Sequence, residues 1–99
     1  MPFELPAGAE LVRTTAMFDQ DSVPPGLLRA HRIATGVWGR LVVHTGSLLF
    51  RFEEETGAPI GVQSGEHLVI PPDVPHHVEV DGPVSFAVEF HRPSGTAGR

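Results

Sequence analysis

Six histidines and twelve carboxylates carry most of the chemistry open to this 99-residue chain, which has no cysteine and so no thiolate. His76 stands out by its setting. It follows Gly65, the apolar run Leu68-Val69-Ile70 and the prolines Pro71, Pro72 and Pro75. Prolines lack the N–H that a central strand donates, so they fit a corner between strands. A histidine placed straight after a rigid corner has the fixed position that a metal or substrate site requires.

The other histidines sort by strand parity. His31 lies in Leu27–Ile33, read as a strand, on the face of Leu27, Arg29 and Ile33. His77 is adjacent to His76 and so points to the opposite side. His44 falls with Arg40, Arg51 and Glu53, which reads as an outer face. His67 and His91 have no partner by spacing and read as surface residues, and Trp38 reads as an aromatic packing element.

Glu89 depends on a register. If Asp81-Gly82 is a two-residue loop, His76 pairs with Ala87 and Glu89 shares its face. That is close enough to form a two-histidine, one-carboxylate set with His31. If Pro83 is also in the loop, Val78 and Val80 join Phe86, Val88 and Phe90 on one apolar face. Glu89 then points away, beside Glu79. Glu79 itself lies opposite His76 in an unbulged strand.

The elements that must position these groups are short strands. Ten prolines and eleven glycines spread along the chain suit frequent turns better than a helical bundle. Hydrophobic residues at 40% and charged ones at 19% place the chain among ordinary globular domains. A single domain of this size buries about 60 to 65% of its extended surface, so an extra interface would add stability. Net charge is −5 and the basic residues are seven scattered arginines, which disfavours a nucleic-acid partner. No run approaches the ~18 apolar residues of a membrane span, and Met1–Pro6 lacks the features of a signal peptide. With no disulfide framework, a cytoplasmic location is expected.

In order, residues 1–10 read as an irregular lead-in, 11–92 as a β-barrel of about eight strands, and 93–99 as a flexible tail. Leu11–Thr15 reads as the first strand. The clearest hairpin is Arg40–His44, turn Thr45-Gly46, Ser47–Glu53. It pairs Val43 with Leu48 and Leu41 with Phe50, and gathers Leu41, Val43, Leu48, Phe50 and Phe52 on one face. Glu54–Pro59 reads as a solvated loop, Ile60–Val62 as a short strand, and His76–Val80 and Val84–His91 as the last two strands.

Gly65-x5-Pro71-x-Asp73-x2-His76 resembles the second cupin motif, in the strand–corner–strand context that the motif needs. The asparagine that ends the motif is Val80 here. The first motif is partial: Gly46 matches its final glycine, Gly39 stands at its glutamate, and His31 is the histidine nearest its H-x-H pair. A wider match runs from about Thr14 to Arg92. Val23-Pro24-Pro25-Gly26-Leu27, His31, Gly36–Val43, Gly46, Pro71, His76-x2-Glu79 and Phe86-x-Val88-Glu89-Phe90 resemble the TehB/YeaR-like small cupin domains. The resemblance implies an all-β, single-domain cupin: a double-stranded, jelly-roll-like β-helix with a histidine-bearing pocket. No glycine-rich S-adenosylmethionine loop follows a strand, so tellurite methylation is not carried over.

The functional expectation is a metal-binding cupin holding a divalent transition metal (Zn, Fe, Ni or Mn) on His31, His76 and Glu89. An open coordination position would support dioxygenase or isomerase chemistry on a small molecule. The alternative, motivated by the lost motif glutamate and second histidine, is a non-catalytic binding, sensing or stress-response module. A homodimer is expected in either case, because the core is small.

Overall fold

The computed structural model describes residues 3–54 and 58–93. Seven antiparallel strands organise them: β1 (Glu10–Thr14), β2 (Phe18–Asp19), β3 (Trp38–Phe52), β4 (Ile60–Gln63), β5 (His67–Ile70), β6 (His76–Glu79) and β7 (Val84–Arg92). The strands thus number seven where about eight were expected. Of the Glu54–Pro59 loop, residues 55–57 lie outside the described residues, as do 94–99 of the expected tail.

The predicted hairpin at Thr45-Gly46 does not form. The chain runs on as one fifteen-residue strand, β3, with a register shift between Val43 and Thr45. A two-residue hairpin turn of the favoured kind needs positive φ at both central residues, which β-branched Thr45 resists. Only Gly46 takes that conformation, with φ of 72°. The outcome is a bulge that bends β3 from one sheet into the other. Its first half pairs with β5 and β7, its second half with β4 and β6. Leu41 therefore lies opposite Leu68 and Val88, and Phe50 opposite Ile60 and Val78.

The predicted apolar face survives this correction. Leu41, Val43, Leu48, Phe50 and Phe52 are all buried. In an unbulged strand Val43 and Leu48 would point to opposite sides, because five steps is an odd number. The extra residue in the bulge resets the parity, so both halves of β3 face one interior. Leu68, Ile70, Val78, Val84, Phe86 and Val88 complete the core from β5, β6 and β7. Full burial of Phe50 and Phe86 contributes about 2–3 kcal/mol each from the water they leave.

Two further expectations change. Leu27–Ile33 is not a strand: Pro25–Leu28 makes a 3-10 turn, closed by the Leu27 N–H donating to the Pro24 carbonyl at 2.9 Å. Two successive prolines cannot serve a ladder, and proline suits the first turn of a helix. Neither register of the β6–β7 hairpin occurs either, since β6 pairs with β3 in one sheet while β7 pairs with β3, β1 and β2 in the other. The residues 81–83 cross between sheets instead of folding back.

Candidate functional site

The His76 corner is held from below. The segment carrying His31 has no strand of its own, yet His31 and His76 exchange both backbone hydrogen bonds. The His31 N–H donates to the His76 carbonyl at 3.0 Å, and the His76 N–H to the His31 carbonyl at 2.8 Å. Two residues on, the Asp73 N–H donates to the Ile33 carbonyl at 2.9 Å, and the Thr35 hydroxyl donates to the Asp73 carboxylate at 2.9 Å. Asp73 has φ of 67°, a left-handed conformation that aspartate tolerates better than most side chains. That is the physical need behind a glycine or aspartate between Pro71 and His76.

The two imidazoles meet edge to face, with ring centroids 4.2 Å apart. His76 is only 2% exposed and lies nearly parallel to the Phe50 ring at 5.1 Å. Its Nδ1 lies 2.8 Å from the Val74 carbonyl, and the Nδ1 of His31 lies 3.0 Å from the Arg29 carbonyl. A carbonyl oxygen only accepts, so each Nδ1 carries a proton and Nε2 is the ring atom left to meet a ligand. Neither Nε2 has a partner among the described residues, and neither is sealed from solvent. Burial lowers the pKa of His76 to about 4, outweighing the bond to Val74, with His31 adding to the drop. His76 is therefore neutral at neutral pH.

Both rings line a cavity of about 520 Å³ walled by Leu41, Phe50, Ile70, Val78, Val88 and Phe90. That volume falls in the ~300–1,000 Å³ range of small-molecule sites. Arg13, Arg32 and Arg92 also line it, and among the described residues no carboxylate does. Sequence reasoning passed over these arginines because they come from separate segments, 60 residues apart at the widest step from Arg32 to Arg92.

Glu89 is not brought to this pair. It lies opposite Arg40 on β3, accepts from the Arg40 guanidinium at 3.0 Å and bonds His91 Nε2 at 3.0 Å. Burial works to raise its pKa, but His91 and Arg40 outweigh it and hold the carboxyl below its ordinary range. Its neighbours Val88 and Phe90 line the cavity, so by strand alternation Glu89 faces the other way. Among the described residues, no group of three His, Asp or Glu side chains could hold a metal ion.

The remaining histidines lie elsewhere. His77 sits between Glu53 and Glu79, whose hydrogen bonds raise its pKa, while the bond from His77 does most to lower that of Glu79. His44 and His67 are exposed as expected. His91, read as a surface residue, is instead 9% exposed, because it is paired across β3 with Trp38 and held by Glu89.

An all-β, two-sheet barrel with a histidine pocket between its layers is the architecture of a small cupin-type protein. The family model for the TehB-like domain matches residues 13–88, more than half of the chain, and the chain belongs to that family. It is similar to a protein from E. coli strain K12 at 23% identity and a TM-score of 0.80, covering 92% of this chain and 97% of that one. TehB from Haemophilus influenzae matches at 20% identity and a TM-score of 0.78 over 88% of this chain. This chain spans only 32% of that TehB chain. A cupin-2 domain protein from Shewanella frigidimarina matches at 22% identity and a TM-score of 0.53, over 82% of this chain and 66% of that one. These likenesses establish the fold alone. None of the curated proteins matches at a significant level.

Proposed function

We propose that this chain is a non-catalytic small-molecule-binding cupin whose pocket ends on the paired imidazoles of His31 and His76. The observation that carries this reading is the cavity of about 520 Å³, apolar in its walls, with two imidazoles whose Nε2 atoms have no partner among the described residues. Such a site buries an apolar body and fixes its orientation with a few polar groups. A thermal-shift screen of small organic ligands in the presence of chelator tests it. Stabilisation of the wild type that disappears in His76→Phe supports the reading; a screen with no stabilising ligand overturns it.

A second reading is a divalent transition metal (Zn, Fe, Ni or Mn) on the same pair, with a dioxygenase or isomerase role. What favours it is the carbonyl-bound Nδ1–H of each ring, the outer bond that metal-ligating histidines commonly make. The donor set fits only in part: His31 and His76 supply two nitrogens, and Glu89 is engaged with Arg40 and His91. A bound metal would act as a Lewis acid at the pocket end, while the walls hold and orient the substrate. Elemental analysis of purified protein distinguishes the readings: stoichiometric metal that is lost in His76→Ala favours the second. Among the described residues no helix is long and apolar enough to cross a membrane. A cytoplasmic location belongs to either reading, supported by the absence of cysteine.

A further inference from the structure

We infer that the ligand of this pocket is a small organic acid: an apolar body with one anionic group for the arginines and a hydrogen-bond donor for the imidazoles. The inference rests on the small-molecule reading above and adds the chemical class. Three of the seven arginines line the cavity, Arg13 from β1, Arg32 next to His31 and Arg92 at the end of β7. Carboxylates outnumber arginines in the chain, yet none of the described ones lines this cavity. The contrast with the sheet faces is direct. Arg40 and Arg51 there are matched by Glu89 and Glu79. Arg13, Arg32 and Arg92 have no carboxylate within 4.0 Å among the described residues.

Unneutralised arginines around an apolar cleft focus a positive potential there, against the sign of the whole chain. A guanidinium also matches a carboxylate with two parallel N–H bonds, which makes an anion the fitting partner. Arg13 is already held over the Phe90 ring at 4.6 Å, so its position against the cavity wall is defined. At the imidazoles the requirement inverts. Each Nδ1–H is taken by a carbonyl, so the neutral ring of His76 offers only an acceptor at Nε2 and asks the ligand for a donor such as a hydroxyl.

Isothermal titration in chelator with 4-hydroxybenzoate, 4-hydroxybenzamide and benzoate tests both ends. The expected result is that 4-hydroxybenzoate binds at least about tenfold tighter than its amide, with affinity falling as salt rises. In the Arg13→Gln/Arg32→Gln/Arg92→Gln variant that preference falls below about twofold; all three side chains are exposed, so the variant folds. Equal affinity for acid and amide, or an acid preference that ignores both salt and the three substitutions, overturns the anionic end. Benzoate binding as tightly as 4-hydroxybenzoate overturns the donor at the imidazole end. If neither probe binds but the screen yields a neutral ligand, only the acid assignment falls; if nothing binds at all, the pocket reading falls with it.

Discussion

His31 and His76 hold each other through the backbone before their rings ever meet. The reciprocal N–H to carbonyl bonds at 3.0 and 2.8 Å bring two residues 45 positions apart into register, and the ring contact at 4.2 Å follows from it. The imidazole pair is therefore set by the pairing geometry of an antiparallel bridge, although His31 belongs to no strand.

The two rings differ in what they support. His76 is buried against Phe50 and Phe52, so His76→Ala opens a cavity in the core and should lower stability by about 2–4 kcal/mol. His31 is half-buried with its backbone bonds retained on substitution, so His31→Ala should cost about 1 kcal/mol or less. Denaturant midpoints measure both; equal losses would contradict the packing described.

Acid should weaken the fold through His76. Its pKa is about 4 in the folded chain against an ordinary 6.5, so the unfolded chain binds more protons between those values. The stability held by neutral His76 is complete above about pH 6.5 and is lost as pH falls toward 4, by up to about 3 kcal/mol. His77 works in the opposite direction. With its pKa raised by Glu53 and Glu79, its contribution is present below 6.5 and is lost as pH rises through the raised value. Chemical denaturation across pH 4–7 in chelator should show a shallower acid slope in His76→Phe than in the wild type; identical slopes would refute the assignment to His76.

Gly46→Ala should be severe. The backbone there has φ of 72°, and an added Cβ would sit 2.0 Å from the Pro83 carbonyl oxygen, a backbone atom that cannot step aside. Loss of more than about 3 kcal/mol, or failure to fold, is expected. Gly26→Ala meets nothing within 4 Å and serves as the control, within about 0.5 kcal/mol of the wild type.

Glu89→Gln should separate the outer sheet face from the pocket. It removes the charge that Arg40 and His91 share, at a cost of about 0.5–1 kcal/mol, and leaves ligand or metal affinity at the cavity unchanged. A tenfold loss of binding in this variant would place the carboxylate in the site after all.

We propose a homodimer through β1. That strand lies at the edge of the sheet order β1-β7-β3-β4, with Leu11 56% and Val12 54% exposed. An open edge offers unpaired backbone groups that a second copy can match antiparallel, covering those side chains. Sedimentation velocity at micromolar concentration should give a dimer that Val12→Glu converts to monomer; a monomeric wild type would count against it.

Much of this was legible in the residues, for reasons that are local. Pro71, Pro72 and Pro75 made a corner because proline has no N–H to give, and the corner made His76 a fixed point. Alternation named the buried face of β3 residue by residue, since a strand shows its period in the sequence. What alternation does not encode is which strand lies alongside. Thr45-Gly46 reads as a hairpin turn, and only the bend of β3 around the core, with Gly46 pressed against Pro83, makes it a bulge. The same limit moved Glu89. Its side of β7 depended on a β6–β7 pairing that does not exist, because those strands enter different sheets. The arginines show the limit most plainly. Arg13, Arg32 and Arg92 look scattered because charge patterning is read along the chain, whereas a potential is summed through space. Sequence alone therefore determined the fold class and the histidine at its corner. The tertiary structure decided His76's partner, the loss of Glu89 from the site and the charge at the pocket, because each depends on contacts between distant segments.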